Sequence, residues 1–134
     1  MNTPDIEIYA KDINSDIIID WLTQQFEASS LNIDPKTLGI ALNSTACITI
    51  QLPYKEHSIE LIITPRAAGK SFCSFWFKSE NTPWENDEAC ALTLLEENDI
   101  EIRCAASGWQ EDEEKLSEQW LLLTQNEKKL IHWG

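Results

Sequence analysis

Residues 46–63 read ACITIQLPYKEHSIELII, and their pattern gives the strongest indication of the fold. Apolar side chains recur at every second position from Ala46 to Leu52 and again from Ile59 to Ile63. A period of two is typical of strands that bury one face. The turn segment 53–57 is short, and a short connection predicts that the two strands pair antiparallel.

Strand-like segments continue outward from this pair in both directions. Residues 38–42 predict a strand before it, and residues 71–78 predict a strand after it with apolar side chains on both faces. Alternation also predicts strands at 6–10 and 100–106. The C-terminal runs 120–124 and 129–133 predict a hairpin, for which one continuous helix over 112–131 is the alternative.

Two segments have the pattern of amphipathic helices. Asn14 begins a cluster typical of a helix N-cap, and Ile18, Trp21, Leu22 and Phe26 then follow at helical spacing, which predicts a helix over 15–28. Thr82-Pro83-Trp84-Glu85 resembles a capping box with proline at the first helical position, which predicts a second helix to about Glu97.

The resulting element order is β-α-β-β-β-β-α-β-β-β. This order predicts an α+β fold, with a mostly antiparallel sheet and two helices packed on one of its faces. The chain has 134 residues, the usual length of one domain, so we expect residues 1–134 to form a single domain.

The charge is strongly acidic and unevenly distributed. The net charge is −13, and residues 80–118 contain most of it. Such a field repels the phosphates of nucleic acids and anionic membrane surfaces, so we expect neither as a partner. It attracts a basic protein. The alternative is that the acidic stretch is a solvated surface that keeps the protein soluble.

No motif in the chain specifies a reaction, a cofactor or a metal. The four cysteines lack C-x-x-C spacing and only two histidines are present, so neither a zinc site nor a Cys-His enzyme is predicted. We expect the cysteines to be reduced thiols of a cytoplasmic protein, because no secretory signal or membrane span is visible. One hypothesis remains for a small-ligand module or thiol enzyme, with a pocket lined by Cys47, Thr49, Gln51, Cys73, Cys104 and His132.

Two tryptophans, Trp84 and Trp109, lie among acidic residues, which is the composition of a protein-binding hot spot inside an acidic rim. The leading hypothesis is therefore a non-catalytic acidic binding protein of a bacterial type, present as a monomer or homodimer. The predicted partner-binding residues are Trp84, Glu85, Asp87, Glu88, Trp109, Glu111, Asp112, Glu113 and Glu114.

Two classes of protein are similar to this chain in size and charge. Small acidic immunity proteins cover basic toxins, and this is the model for the leading hypothesis. Secretion chaperones, which hold unfolded clients, supply the alternative. The similarity rests on length and composition and on no shared motif.

Overall fold

The computed structural model describes residues 6–26, 34–44, 46–67, 72–79, 82–105 and 119–132. These residues form seven strands and three helices. In chain order they are β1 (Ile6–Lys11), α1 (Ser15–Gln25), α2 (Pro35–Leu42), β2 (Ile48–Tyr54), β3 (His57–Thr64), β4 (Phe72–Lys78), α3 (Asp87–Leu95), β5 (Ile102–Ala105), β6 (Gln119–Leu123) and β7 (Lys128–His132).

All seven strands belong to one antiparallel sheet in the order β2-β3-β4-β1-β5-β6-β7. Consecutive strands form the hairpin pairs β2–β3, β3–β4 and β6–β7. The N-terminal strand β1 lies between β4 and β5 and joins the two halves of the sheet. The predicted α+β fold is confirmed, and so is the C-terminal hairpin.

The core lies between one face of this sheet and the helices. Strand alternation places Ile6, Ile8 and Ala10 on that face, opposite Phe77, Phe75 and Cys73 of the neighbouring strand. Trp21 of α1 packs edge-on against Phe75 and Phe77, with ring centroids 5.6 and 5.8 Å apart.

Helix α3 lies beside α1 on the same face of the sheet. It buries Cys90, Ala91, Leu94 and Leu95 and contacts β1 and β5. The Trp21 indole Nε1 donates a hydrogen bond to Thr93 Oγ1 at 2.8 Å and joins the two helices. Both predicted helices therefore pack on one face, as expected from the sequence.

The prediction of a strand at residues 38–42 is wrong, because this segment is the C-terminal part of α2. Asp34 caps the helix by accepting hydrogen bonds from the Lys36 backbone N–H and the Thr37 hydroxyl. Pro35 stands in the first turn, where a missing N–H costs nothing. In an apolar run of only five residues, the spacing of the side chains is compatible with a strand and with a short buried helix.

The predicted start of the second helix is also wrong, while that of the first is confirmed. Asn14 caps α1 by accepting the Ile17 N–H at 2.9 Å. Helix α3 begins at Asp87, five residues later than Thr82, and its N-cap is Asn86, which accepts the Ala89 N–H at 2.8 Å. Residues 82–86 are not helical because Trp84 turns into the core.

Candidate functional site

Trp84, predicted as an exposed anchor, is a core side chain. It is 7% exposed and stacks on Trp21 with ring centroids 6.0 Å apart. Phe77 lies edge-on to it at 4.9 Å, and its Nε1 donates a hydrogen bond to Gln25 Oε1 at 3.2 Å. A side chain this buried offers almost no area to a partner. The prediction that Trp84 binds a partner is therefore corrected: it is a core residue.

The three acidic residues that follow Trp84 have different environments. Glu85 is exposed. Asp87 accepts the backbone N–H of Glu7 at 3.3 Å, and burial raises the pKa of its carboxyl to about 6. Glu88 is bridged to Lys128, with Oε2 and Nζ 2.6 Å apart. Asp87 and Glu88 therefore hold α3 against the sheet, and Glu85 faces solvent.

The remaining predicted partner-binding residues lie outside the described residues. They are Trp109, Glu111, Asp112, Glu113 and Glu114.

The helix layer contains a wider group of exposed acidic residues, of which only Glu85 was predicted to bind a partner. Residues 13–26 and 82–102 contain no lysine or arginine. The exposed carboxylates of these two segments are those of Asp16, Asp20, Glu85, Glu96, Glu97 and Asp99. None of them forms an ion pair within the described part of the chain.

A cleft of about 300 Å³ lies between α1 and the C-terminal end of α3. Asp20 and Gln24 line one side of it, and Glu97 lines the other. The Gln24 amide donates a hydrogen bond to Glu97 Oε2, and the Trp21–Thr93 hydrogen bond closes the base. Two exposed carboxylates at the mouth of a polar cleft form a suitable receptor for a lysine or arginine side chain.

Four of the eight lysine and arginine residues in the described part of the chain lie on the opposite face of the sheet. Strand alternation places Lys11, Lys78, Arg103 and Lys129 there. Lys78 Nζ lies 4.9 Å from the Trp76 ring centroid, and the Arg103 guanidinium carbon lies 4.8 Å from that of Phe72. The layer formed by α1 and α3 is thus acidic, whereas half of the described lysine and arginine residues lie on the other face of the sheet.

A second cleft, of about 240 Å³, lies beside the end of β1. Its lining includes Asp12, Asn43 and Arg66, so charges of both signs face it. This cleft has no preference for a cation, in contrast to the cleft between α1 and α3.

Three of the four cysteines, Cys73, Cys90 and Cys104, are buried. Burial raises the pKa of the Cys73 and Cys104 thiols to about 12, and it also raises that of the fully buried Cys90. These three thiols stay protonated at neutral pH, whereas the thiolate is the nucleophile. Cys47 is exposed, and its Sγ lies 3.5 Å from Thr64 Oγ1.

The residues predicted to line a small-ligand pocket do not all share one face of the sheet. Cys73 and Cys104 face the helix layer, whereas strand alternation places Thr49 and Gln51 on the other face. The C-terminal hairpin is part of the sheet and does not cover it. Among the described residues, no group of three or more His, Cys, Asp or Glu side chains is arranged to hold a metal ion.

Comparisons with protein-family models, curated proteins and solved structures found no match to this chain. None of the described helices has the length and apolar character needed to cross a membrane. The function has to be inferred from the chain's own residues.

Proposed function

We propose that this chain is a non-catalytic binding protein that captures a basic protein partner on the layer formed by α1 and α3. The observation that carries the proposal is the charge of this layer. Its exposed carboxylates have no cationic neighbours within the described residues, and the two helices contain no lysine or arginine. Acidic surfaces of this kind attract basic proteins and accelerate their association.

The cleft between the helices supplies the specific contact. A lysine or arginine side chain of the partner enters it and binds the carboxylates of Asp20 and Glu97. Charge-assisted hydrogen bonds of this type are shorter and stronger than neutral ones. The exposed Glu96 and Asp99 steer the approach, because their charges make the local electrostatic potential more negative.

Capture from an extract of the native cell tests the proposal. The immobilised protein is expected to retain a basic protein that elutes as salt is raised, because salt screens exposed charges. A double variant, Asp20→Asn with Glu97→Gln, is expected to retain much less of it. Glutamine and asparagine keep the side-chain shape and the acceptor for Gln24.

A control variant removes two charges elsewhere in the molecule. Glu56→Gln with Glu60→Gln changes the net charge equally, but Glu56 lies in the β2–β3 turn and Glu60 lies on β3. Retention by this control and loss by the cleft variant supports the proposal. Equal retention by both variants excludes the cleft as the binding site.

A further inference from the structure

Strand β7 is one edge of the sheet, and half of its backbone groups point away from β6. Thr124 and Glu127 exchange backbone hydrogen bonds at the turn, 2.9 and 3.5 Å long. Paired residues in an antiparallel ladder alternate between bonded and non-bonded pairs, so Lys129 and Ile131 bond to β6. The N–H and C=O of Leu130 therefore point outward. Within the described residues, no strand pairs with this side of β7.

Exposed apolar side chains lie beside the same edge. Leu130 is 39% exposed, and Leu92 of α3 is 45% exposed. Leu92 is one helical turn beyond Glu88, which contacts Lys128 at 2.6 Å, and Leu130 shares its sheet face with Lys128. The outer side of α3 and the edge strand therefore present the apolar side chains of Leu92 and Leu130 beside the outward-pointing backbone groups of Leu130.

The opposite edge of the sheet is protected. The β2–β3 hairpin has a two-residue turn at 55–56, so Tyr54 and His57 form the closing bonded pair and Pro53 lies at an outward-pointing position. Proline has no N–H to offer another strand, and natural sheets use it to block edge pairing. Strand β7 contains no proline.

We propose that β7 pairs antiparallel with β7 of a second copy of this chain, with Leu130 opposite Leu130 at the two-fold axis. This register lets the two Leu130 residues exchange their outward backbone hydrogen bonds and places both side chains on the helix side of a continuous sheet. Leu92 of each copy covers this contact.

The local charge permits two acidic molecules to meet at this edge. Lys128 and Lys129 are balanced by Glu88 and Glu127, to which they are bridged at 2.6 and 3.4 Å. The unbalanced carboxylates of Asp20 and Glu97 lie between α1 and α3. The two lysines of β7 are therefore charge-balanced in a chain whose net charge is −13, and the exposed carboxylate of Glu96 lies one helical turn beyond Leu92.

Sedimentation equilibrium over a concentration series tests the pairing. The full chain is expected to form a dimer of twice its 15.3 kDa mass, and Leu130→Pro is expected to weaken dimerisation about tenfold or more. The Leu130 N–H points outward, so proline removes the bond between copies and leaves the ladder to β6 intact. Gln51→Pro, at an outward position of the other edge, is the matched control and is expected to dimerise like wild type.

A second pair of variants leaves every strand unchanged. Leu92→Lys is expected to weaken the dimer, whereas Ile40→Lys, on an α2 residue that is 74% exposed, is not. A wild-type chain that stays monomeric at every concentration overturns the proposal. A dimer that survives both Leu130→Pro and Leu92→Lys, with circular dichroism showing folded protein, overturns it as well.

Discussion

Asp87 is the residue whose ionisation is most closely tied to the stability of the fold. Desolvation is the main cause that raises the pKa of its carboxyl from 3.8 to about 6, and the Coulombic effect of Glu7 adds to it. Between about pH 4 and 6, the Asp87 carboxyl is therefore protonated in the folded chain and ionised in the unfolded chain. The contribution of Asp87 to stability is therefore largest below this window and falls as the pH rises through it.

Asp87→Asn removes this ionisation and keeps an oxygen that accepts the Glu7 N–H. As the pH rises from 4 to 7, we expect the free energy of unfolding of the variant to increase by about 1–2 kcal/mol relative to that of wild type. The reason is that wild type then buries a charge. Urea unfolding at both pH values measures this difference. A constant difference between the two proteins across the range would show that Asp87 has an ordinary pKa.

Substitution of Trp84 distinguishes a structural role of this side chain from a role in partner binding. It packs against Trp21, Phe26 and Phe77. Trp84→Ala is expected to cost about 3–5 kcal/mol in the free energy of unfolding, while Trp84→Phe costs less because it keeps an aromatic ring in the core. A Trp84→Ala variant that is as stable as wild type but no longer captures its partner would restore the anchor role.

At the scale of elements, helix α3 depends on a cap that the sequence pattern did not identify. Asn86→Ala is expected to destabilise the protein by about 0.5–2 kcal/mol, because the Ala89 N–H loses its acceptor. Asn86→Asp keeps a capping oxygen and is expected to retain the stability of wild type. Thermal unfolding of the two variants gives the comparison, and equal losses in both would contradict a capping role.

The strands and the two longer helices could be predicted from sequence, because apolar residues recur with a different period in strands and in helices. A sheet with one covered face imposes an alternation of apolar and polar residues over several positions. The start of α3 could not, because Thr82-Pro83 has the local chemistry of a helix start and only the burial of Trp84 overrides it. The sequence analysis also missed α2, because it interpreted the apolar run from Leu38 to Leu42 as a strand and did not recognise Asp34-Pro35 as a helix start.

The acidic charge of the candidate site could be predicted from the sequence, but its position in the fold could not. The sequence shows that the second half of the chain is acidic, but Asp20 and Glu97 are far apart along it. Only the packing of α1 beside α3, held by the Trp21–Thr93 hydrogen bond, brings these two carboxylates to one cleft. The only local feature near Asp20 that belongs to the same cleft is Gln24, which lies four residues later on the same side of α1.

At the scale of the whole molecule, the sheet separates charge. Acidic side chains dominate the helix layer, whereas Lys11, Lys78, Arg103 and Lys129 lie on the other face. A molecule with this asymmetry has a dipole as well as a net charge of −13, and both orient a basic partner toward the helices. The edge of β7, where we propose pairing with a second copy, lies between the two faces.

The most direct test of this account is the association rate of the captured partner with the purified chain at low salt and at about 0.15 M salt. Electrostatic capture on the helix layer predicts that the rate falls about tenfold or more, and that Asp20→Asn with Glu97→Gln lowers it further than Glu56→Gln with Glu60→Gln. A rate that is the same at both salt concentrations and in both variants would contradict the central claim.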